Sequence, residues 1–216
     1  MLKISLYEWL LLASCGVAIY KKVQGYKLLP LLMEFLLIAV AFELFITFYW
    51  RDWDFADQKY FENNLLPYNV FGLICASYYI FVFFPFIQDK FKLPLKIGIA
   101  LWLLISVYWL TKYGWINVNY AHYISGMAIA MILIFNYLYR LVYKESHTSL
   151  KNNAYFYLGL GVLIFMFTSF PILFFINYFV MDESRSDFYA IILKYGNIFL
   201  SSAYLGAAIC SKEKIS

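Results

Sequence analysis

The sequence predicts an all-α polytopic membrane protein: a bundle of seven transmembrane helices with the N-terminus outside and the C-terminus in the cytoplasm. Three observations lead there. Of the 216 residues, 64% are hydrophobic and only 14% charged, against about 45–50% and about 25% in a soluble domain. The apolar residues fall in blocks of roughly 17–25, the length that crosses a hydrocarbon core about 30 Å thick. Lysine and arginine gather on alternate connections, as the positive-inside rule requires. No connecting stretch is long enough to fold alone, so residues 1–216 read as a single transmembrane domain.

The spans are expected at about 4–20, 28–50, 66–88, 95–111, 121–143, 154–180 and 188–210. In the first, "LASC" ending at Cys15 looks like a lipoprotein cleavage box. Apolar residues continue past it to Tyr20, however, and Glu8 interrupts the apolar region, so an uncleaved span is expected. The second span ends at Trp50, and "RDWDFADQKYFENNL" (51–65) follows as the longest loop, read as a hydrated cap with an aromatic anchor. The third runs from Leu66 towards Gln88. The fourth, "LKIGIALWLLISVYWLT", is near the minimum length for a crossing. The fifth begins beside His122, the sixth contains Pro171, and the seventh holds Lys194. The short loops imply antiparallel neighbours in an up-down bundle.

Eleven basic residues fall on one side: Lys21, Lys22, Lys27, Lys90, Lys92, Lys96, Arg140, Lys144, Lys151, Lys212 and Lys214. Five fall on the other, namely Lys3, Arg51, Lys59, Lys112 and Arg185, and Lys194 completes the seventeen. The richer side is cytoplasmic and faces anionic lipid. These residues make the lipid bilayer the first partner. Lys90, Lys92, Lys96, Arg140, Lys144 and Lys151 also offer a surface for a cytoplasmic protein, and homo-oligomers fit the same pattern. Without an Arg-rich patch or a stacking motif, direct nucleic-acid binding is not expected.

Cys15, Cys75 and Cys210 all lie in predicted spans and form no CxxC pair, while His122 and His147 fall near opposite surfaces. Neither a metal site nor a disulfide framework follows. The sequence has no GxSxG, Walker-type or glycine-rich dinucleotide motif. The expectation is a non-enzymatic protein without a cofactor, with an intramembrane enzyme built from scattered residues as the third reading.

The charges inside spans are Glu8, Glu34, Glu43 and Lys194. An ionisable group near the bilayer centre costs at least about 2.5–3.5 kcal/mol on insertion scales, so each needs a reason. Glu8 and Glu34 are close enough to span ends to reach water. Glu43 lies seven residues below Trp50, and Lys194 seven residues after Asp187. At 1.5 Å rise per residue both sit roughly 10 Å below the outer boundary, which predicts an inter-helix ion pair. Asn197 and Ser201 continue the face of Lys194, and Thr47 lies one turn outward from Glu43. Tyr68, Asn69, Thr168 and Ser169 lie at levels where they extend this stripe towards the outside. Two readings stay open: polar groups that hold helices together, and a small-molecule receptor or transporter site around Glu43 and Lys194.

Several segments resemble known families. "FLLIAVAFELFITFY", "LPYNVFGLICASYYIFVFF", "YFYLGLGVLIFMFTSF" and "YGNIFLSSAYLGAAIC" resemble a family of small seven-helix membrane proteins common in Bacteroidetes-type bacteria. The matching positions include Glu43, Tyr68, Asn69, Gly161 and Asn197. That family often carries an acid in span five, where this chain has Ser125–Gly126, and Lys194 departs from its pattern. In size and composition the chain is also similar to the accessory membrane proteins of type VI-B CRISPR systems. That implies an inner-membrane accessory, sensing or effector role, with phage defence its concrete form. "MFTSFPILFF" (166–175) and a lysine in helix seven resemble microbial rhodopsins, which would make Lys194 a retinal attachment point and Glu43 its counterion. Span three here lacks the acid those proteins carry.

Overall fold

A computed structural model describes residues 5–46, 65–113, 120–143, 150–174 and 183–211. Among the described residues the chain is all-helical, with seven α-helices: α1 (Leu6–Val23), α2 (Leu32–Phe45), α3 (Leu65–Phe83), α4 (Asp89–Tyr113), α5 (Tyr120–Tyr143), α6 (Ala154–Phe174) and α7 (Glu183–Cys210). Each predicted span falls on one of them. Among the described residues, four stretches are long and apolar enough to cross a membrane: Asn69–Phe86, Asp89–Lys112, Tyr123–Tyr143 and Ala154–Pro171. Across its 18 residues α1 carries three charges, Glu8, Lys21 and Lys22, and the described part of α2 is 14 residues long.

The helix ends differ from the predicted spans for local reasons. A capping box starts α1: the Ser5 hydroxyl and backbone N–H both donate to the Glu8 carboxylate. Glu8 is therefore a capping group, and α1 runs unbroken through the buried Cys15. A Schellman turn ends α1, with Tyr26 N–H donating to Lys21 O (2.9 Å) and Gly25 N–H to Lys22 O (3.1 Å). Gly25 occupies the left-handed position with φ +75°. The second helix begins at Leu32, later than the expected 28, because Pro30 and Leu31 (φ +54°) form the preceding turn. Pro85 turns the end of α3 into a 3-10 turn, Phe84–Phe86. Helices α4 and α7 extend into polar sequence, starting at Asp89 and Glu183 where hydropathy alone placed 95 and 188.

The chain divides into two compact units. The first comprises Met1–Val40 with Arg140–Ser216, and the second Ala41–Tyr139. In the first unit α7 packs along both α1 and α6. Small residues bring α6 and α7 together at three levels, where a Cβ on Gly196 would meet Thr168 Oγ1 at 2.9 Å, on Gly161 Ala203 Cβ at 2.1 Å, and on Gly206 Tyr157 Cδ1 at 3.0 Å. Numbers fall along α6 as they rise along α7, so the two run antiparallel over a seam of about 16 Å. Towards α1, Ser14 Oγ donates to Ser201 O (3.2 Å) and Lys21 Nζ to Ile209 O and Ser211 O (3.2 and 2.8 Å). Numbers rise together here, so α1 and α7 run parallel. The Phe35 ring meets Tyr204 edge-on at 5.6 Å, seating α2 on the same helix.

In the second unit, a Cβ on Gly72 would meet the Tyr123 ring at 2.6 Å, and Tyr137 packs on Phe83 and Phe86 at 5.5 and 4.5 Å. The α3 stretch and α5 therefore run parallel. Asn136 Nδ2 donates to Phe86 O (3.0 Å) and pins the 3-10 turn to α5. The Trp102 indole lies over Gly126 and donates to Ser125 Oγ (3.1 Å), docking α4. Ser125–Gly126 thus forms the seat of a tryptophan.

Candidate functional site

The nine polar residues singled out from the sequence fall in both units. In the second, Glu43 is half-buried on α2 and close enough to the Cys75 thiol on α3 to interact with it electrostatically. Phe42 and Phe71 stack at 4.2 Å and 8°, one residue from Glu43 and two from Asn69, fixing α2 beside α3 at that level. Asn69 is buried. Position 47 and the side chain of Tyr68 lie outside the described residues.

In the first unit Thr168, Ser169, Lys194, Asn197 and Ser201 belong to α6 and α7. Thr168 Oγ1 donates back to Phe165 O (2.8 Å) and Ile164 O (3.1 Å), which keeps the hydroxyl satisfied where it meets Gly196. Ser201 is buried, and its carbonyl accepts the Ser14 hydroxyl. Asn197 is half-buried and Lys194 exposed, so the i, i+3, i+7 set turns from the packed side of α7 to its open side. Ile191, Tyr195, Phe199 and Ser202 are also exposed on α7, which makes Lys194 a cation on a largely apolar face. Ser169 Oγ is buried and has no hydrogen-bond partner among the described residues.

Ser14 has no signal in the sequence, and Lys21 counts there only as one of the eleven basic residues of one side. Ser14 is fully buried in α1, and its hydroxyl is shared between Leu10 O (2.7 Å) and Ser201 O. Lys21 places its ammonium 4.4 Å from the Tyr26 ring centroid while satisfying the last carbonyls of α7. A cation there also complements the negative end of the α7 dipole. Lys22 pairs with Glu34 at 3.2 Å, so Glu34 is accounted for as an interfacial partner. The small residues Gly161, Gly196, Ala203 and Gly206 were the sequence signal for the α6–α7 seam, and the S-x-x-E pattern at 5–8 was the signal for the α1 cap.

The residues proposed for a cytoplasmic partner are presented differently from one another. Lys90 and Lys96 are exposed, their ammonium groups 4.8 and 5.9 Å from the Phe91 and Phe84 ring centroids. Lys92 pairs with Asp89 at 2.7 Å. Arg140 is half-buried, Lys151 is exposed and its carbonyl lies 3.3 Å from Cys210 Sγ, and Lys144 lies outside the described residues. Among the described residues no group of three or more His, Cys, Asp or Glu is placed to hold a metal ion. No protein-family model, curated protein or solved structure matches the chain.

Proposed function

We propose that the chain is a seven-span protein of the bacterial inner membrane, N-terminus outside and C-terminus cytoplasmic, acting without catalysis as an accessory, sensing or effector component. Helix direction carries the topological part. A chain that crosses seven times has parallel odd-numbered spans and antiparallel consecutive ones. The parallel α1 and α7, the parallel α3 and α5, and the antiparallel α6 and α7 fit that pattern. The eleven-to-five division of basic residues gives the orientation.

The concrete role is that of a CRISPR-associated modulator in phage defence, which rests on the resemblance to accessory membrane proteins. It is tested by plating phage on a host carrying an RNA-targeting CRISPR effector with and without this chain. A change of tenfold or more in plating efficiency supports the role, and unchanged plating overturns it.

A second reading, a small-molecule receptor or transporter site around Glu43 and Lys194, is favoured by two observations. Lys194 sits on a largely apolar open face of α7, and the buried Ser169 hydroxyl has no described partner. In a bilayer such an ammonium calls for an anion, which an anionic ligand would supply. A retinal Schiff base on Lys194 is the remote variant, and the absence of a visible absorbance band after reconstitution with retinal would remove it.

A further inference from the structure

The second unit presents an unusual surface where α4 begins. The 3-10 turn Phe84–Phe86 is clamped to α5 by the Tyr137 ring and by the Asn136 side chain, so the chain enters α4 from a fixed platform. Over the next two turns Lys90 and Lys96 are exposed and lean over the rings of Phe91 and Phe84. Among the described residues neither ammonium pairs with a carboxylate, whereas Lys92 pairs with Asp89. Phe91, Leu93 and Ile97 are exposed between and beside these lysines, and the exposed apolar surface continues up the helix through Leu101, Leu104 and Ile105. From Asp89 to Lys112 only Trp102 and Ser106 are buried.

We infer that this surface, centred on Lys90 and Lys96 with Phe84, Phe91 and Leu93, binds anionic phospholipid headgroups. Charge complementarity selects the headgroup, because two ammonium groups held over aromatic faces are free to donate to phosphate oxygens. Continuity selects a lipid over a soluble protein. The exposed aromatic and aliphatic side chains run without a break into a stretch long enough to cross a membrane, where acyl chains cover them. The inference rests on the membrane-spanning reading above and adds a lipid preference at a stated place.

The experiment uses the purified full-length chain. Insertion is measured first, by resistance of the reconstituted protein to alkaline extraction from phosphatidylcholine vesicles. The chain in detergent is then offered equal amounts of phosphatidylglycerol and phosphatidylcholine, and retained lipid is read by native mass spectrometry. The wild type is expected to retain phosphatidylglycerol preferentially, and Lys90→Gln/Lys96→Gln to lose most of that preference, on the order of tenfold. Lys112→Gln is the control. Lys112 lies at the other end of the same helix and also leans over an aromatic ring, that of Tyr108, but its ammonium already bonds the Tyr108 hydroxyl at 3.2 Å. Equal retention of both lipids, or a preference untouched by the double substitution, overturns the inference while leaving the membrane reading standing. Failure to resist extraction overturns both.

Discussion

Replacing Gly161 by alanine places a methyl group in the tightest part of the α6–α7 seam. The new Cβ would lie 2.1 Å from Ala203 Cβ, whereas carbon atoms pack at about 3.5–4.0 Å. A methyl bonded directly to the backbone cannot rotate away, so the helices must part by about 1.5 Å. That movement loosens the neighbouring levels at Thr168–Gly196 and Tyr157–Gly206, where a Cβ added to the glycine would lie 2.9 and 3.0 Å from its neighbour. Overpacking typically costs about 1–3 kcal/mol, and a rigid neighbour on a seam with three linked levels puts Gly161→Ala near 3 kcal/mol. The assay is reversible unfolding of the full chain in mixed micelles with a rising fraction of denaturing detergent, followed by far-ultraviolet circular dichroism. Ala203→Gly removes the opposing methyl and should recover most of the loss, less up to about 1 kcal/mol for glycine in a helix. A coupling of at least about 1 kcal/mol between the two substitutions is expected. A single variant within about 0.5 kcal/mol of wild type, or no rescue in the double, would refute the close approach.

Three further predictions follow, two from the C-terminal end of α1 and one from the charges inside the predicted spans. Lys21→Met leaves the carbonyls of Ile209 and Ser211 without their donor and should destabilise by about 1 kcal/mol, with faster amide hydrogen exchange in the last turn of α7. Unchanged exchange there would show that the cap is not needed. Gly25→Ala forces a Cβ into the left-handed backbone at φ +75° and should cost about 1–2 kcal/mol in the same unfolding assay, although nothing lies within 4 Å of the new methyl. The ion pair expected from the sequence predicts that Glu43→Lys and Lys194→Glu each lower the folded yield and that the double swap recovers much of the loss. A double variant no better than the worse single removes the pairing.

Much of the architecture was legible because hydrophobic block length responds to a single physical demand, that of covering a helix in an apolar medium. Every predicted span falls on a helix for that reason. The ends were less legible where helix and hydropathy part company. Asp89 and Glu183 begin helices in polar sequence, and Pro30, Leu31 and Pro85 set boundaries inside apolar runs. Glu8 and Glu34 were read as span-end groups that reach water, and the structure adds their partners, a capping serine and Lys22. The polar stripe was harder to read, since spacing along one helix does not say which side its neighbours occupy. Lys194, Asn197 and Ser201 share a helical repeat yet range from exposed to buried. Ser14 was hidden for the opposite reason, because its partner is a backbone carbonyl 187 residues away that no side-chain pattern announces.

Topology mapping tests the central claim most directly. Paired reporters, one active only outside the inner membrane and one only in the cytoplasm, are fused within residues 51–64, within 144–149 and after Ser216. The account predicts external activity at the first position and cytoplasmic activity at the other two, with single cysteines near Lys3 labelled from outside. A C-terminus reporting from the same side as the N-terminus would mean an even number of crossings, and the seven-span account would fail.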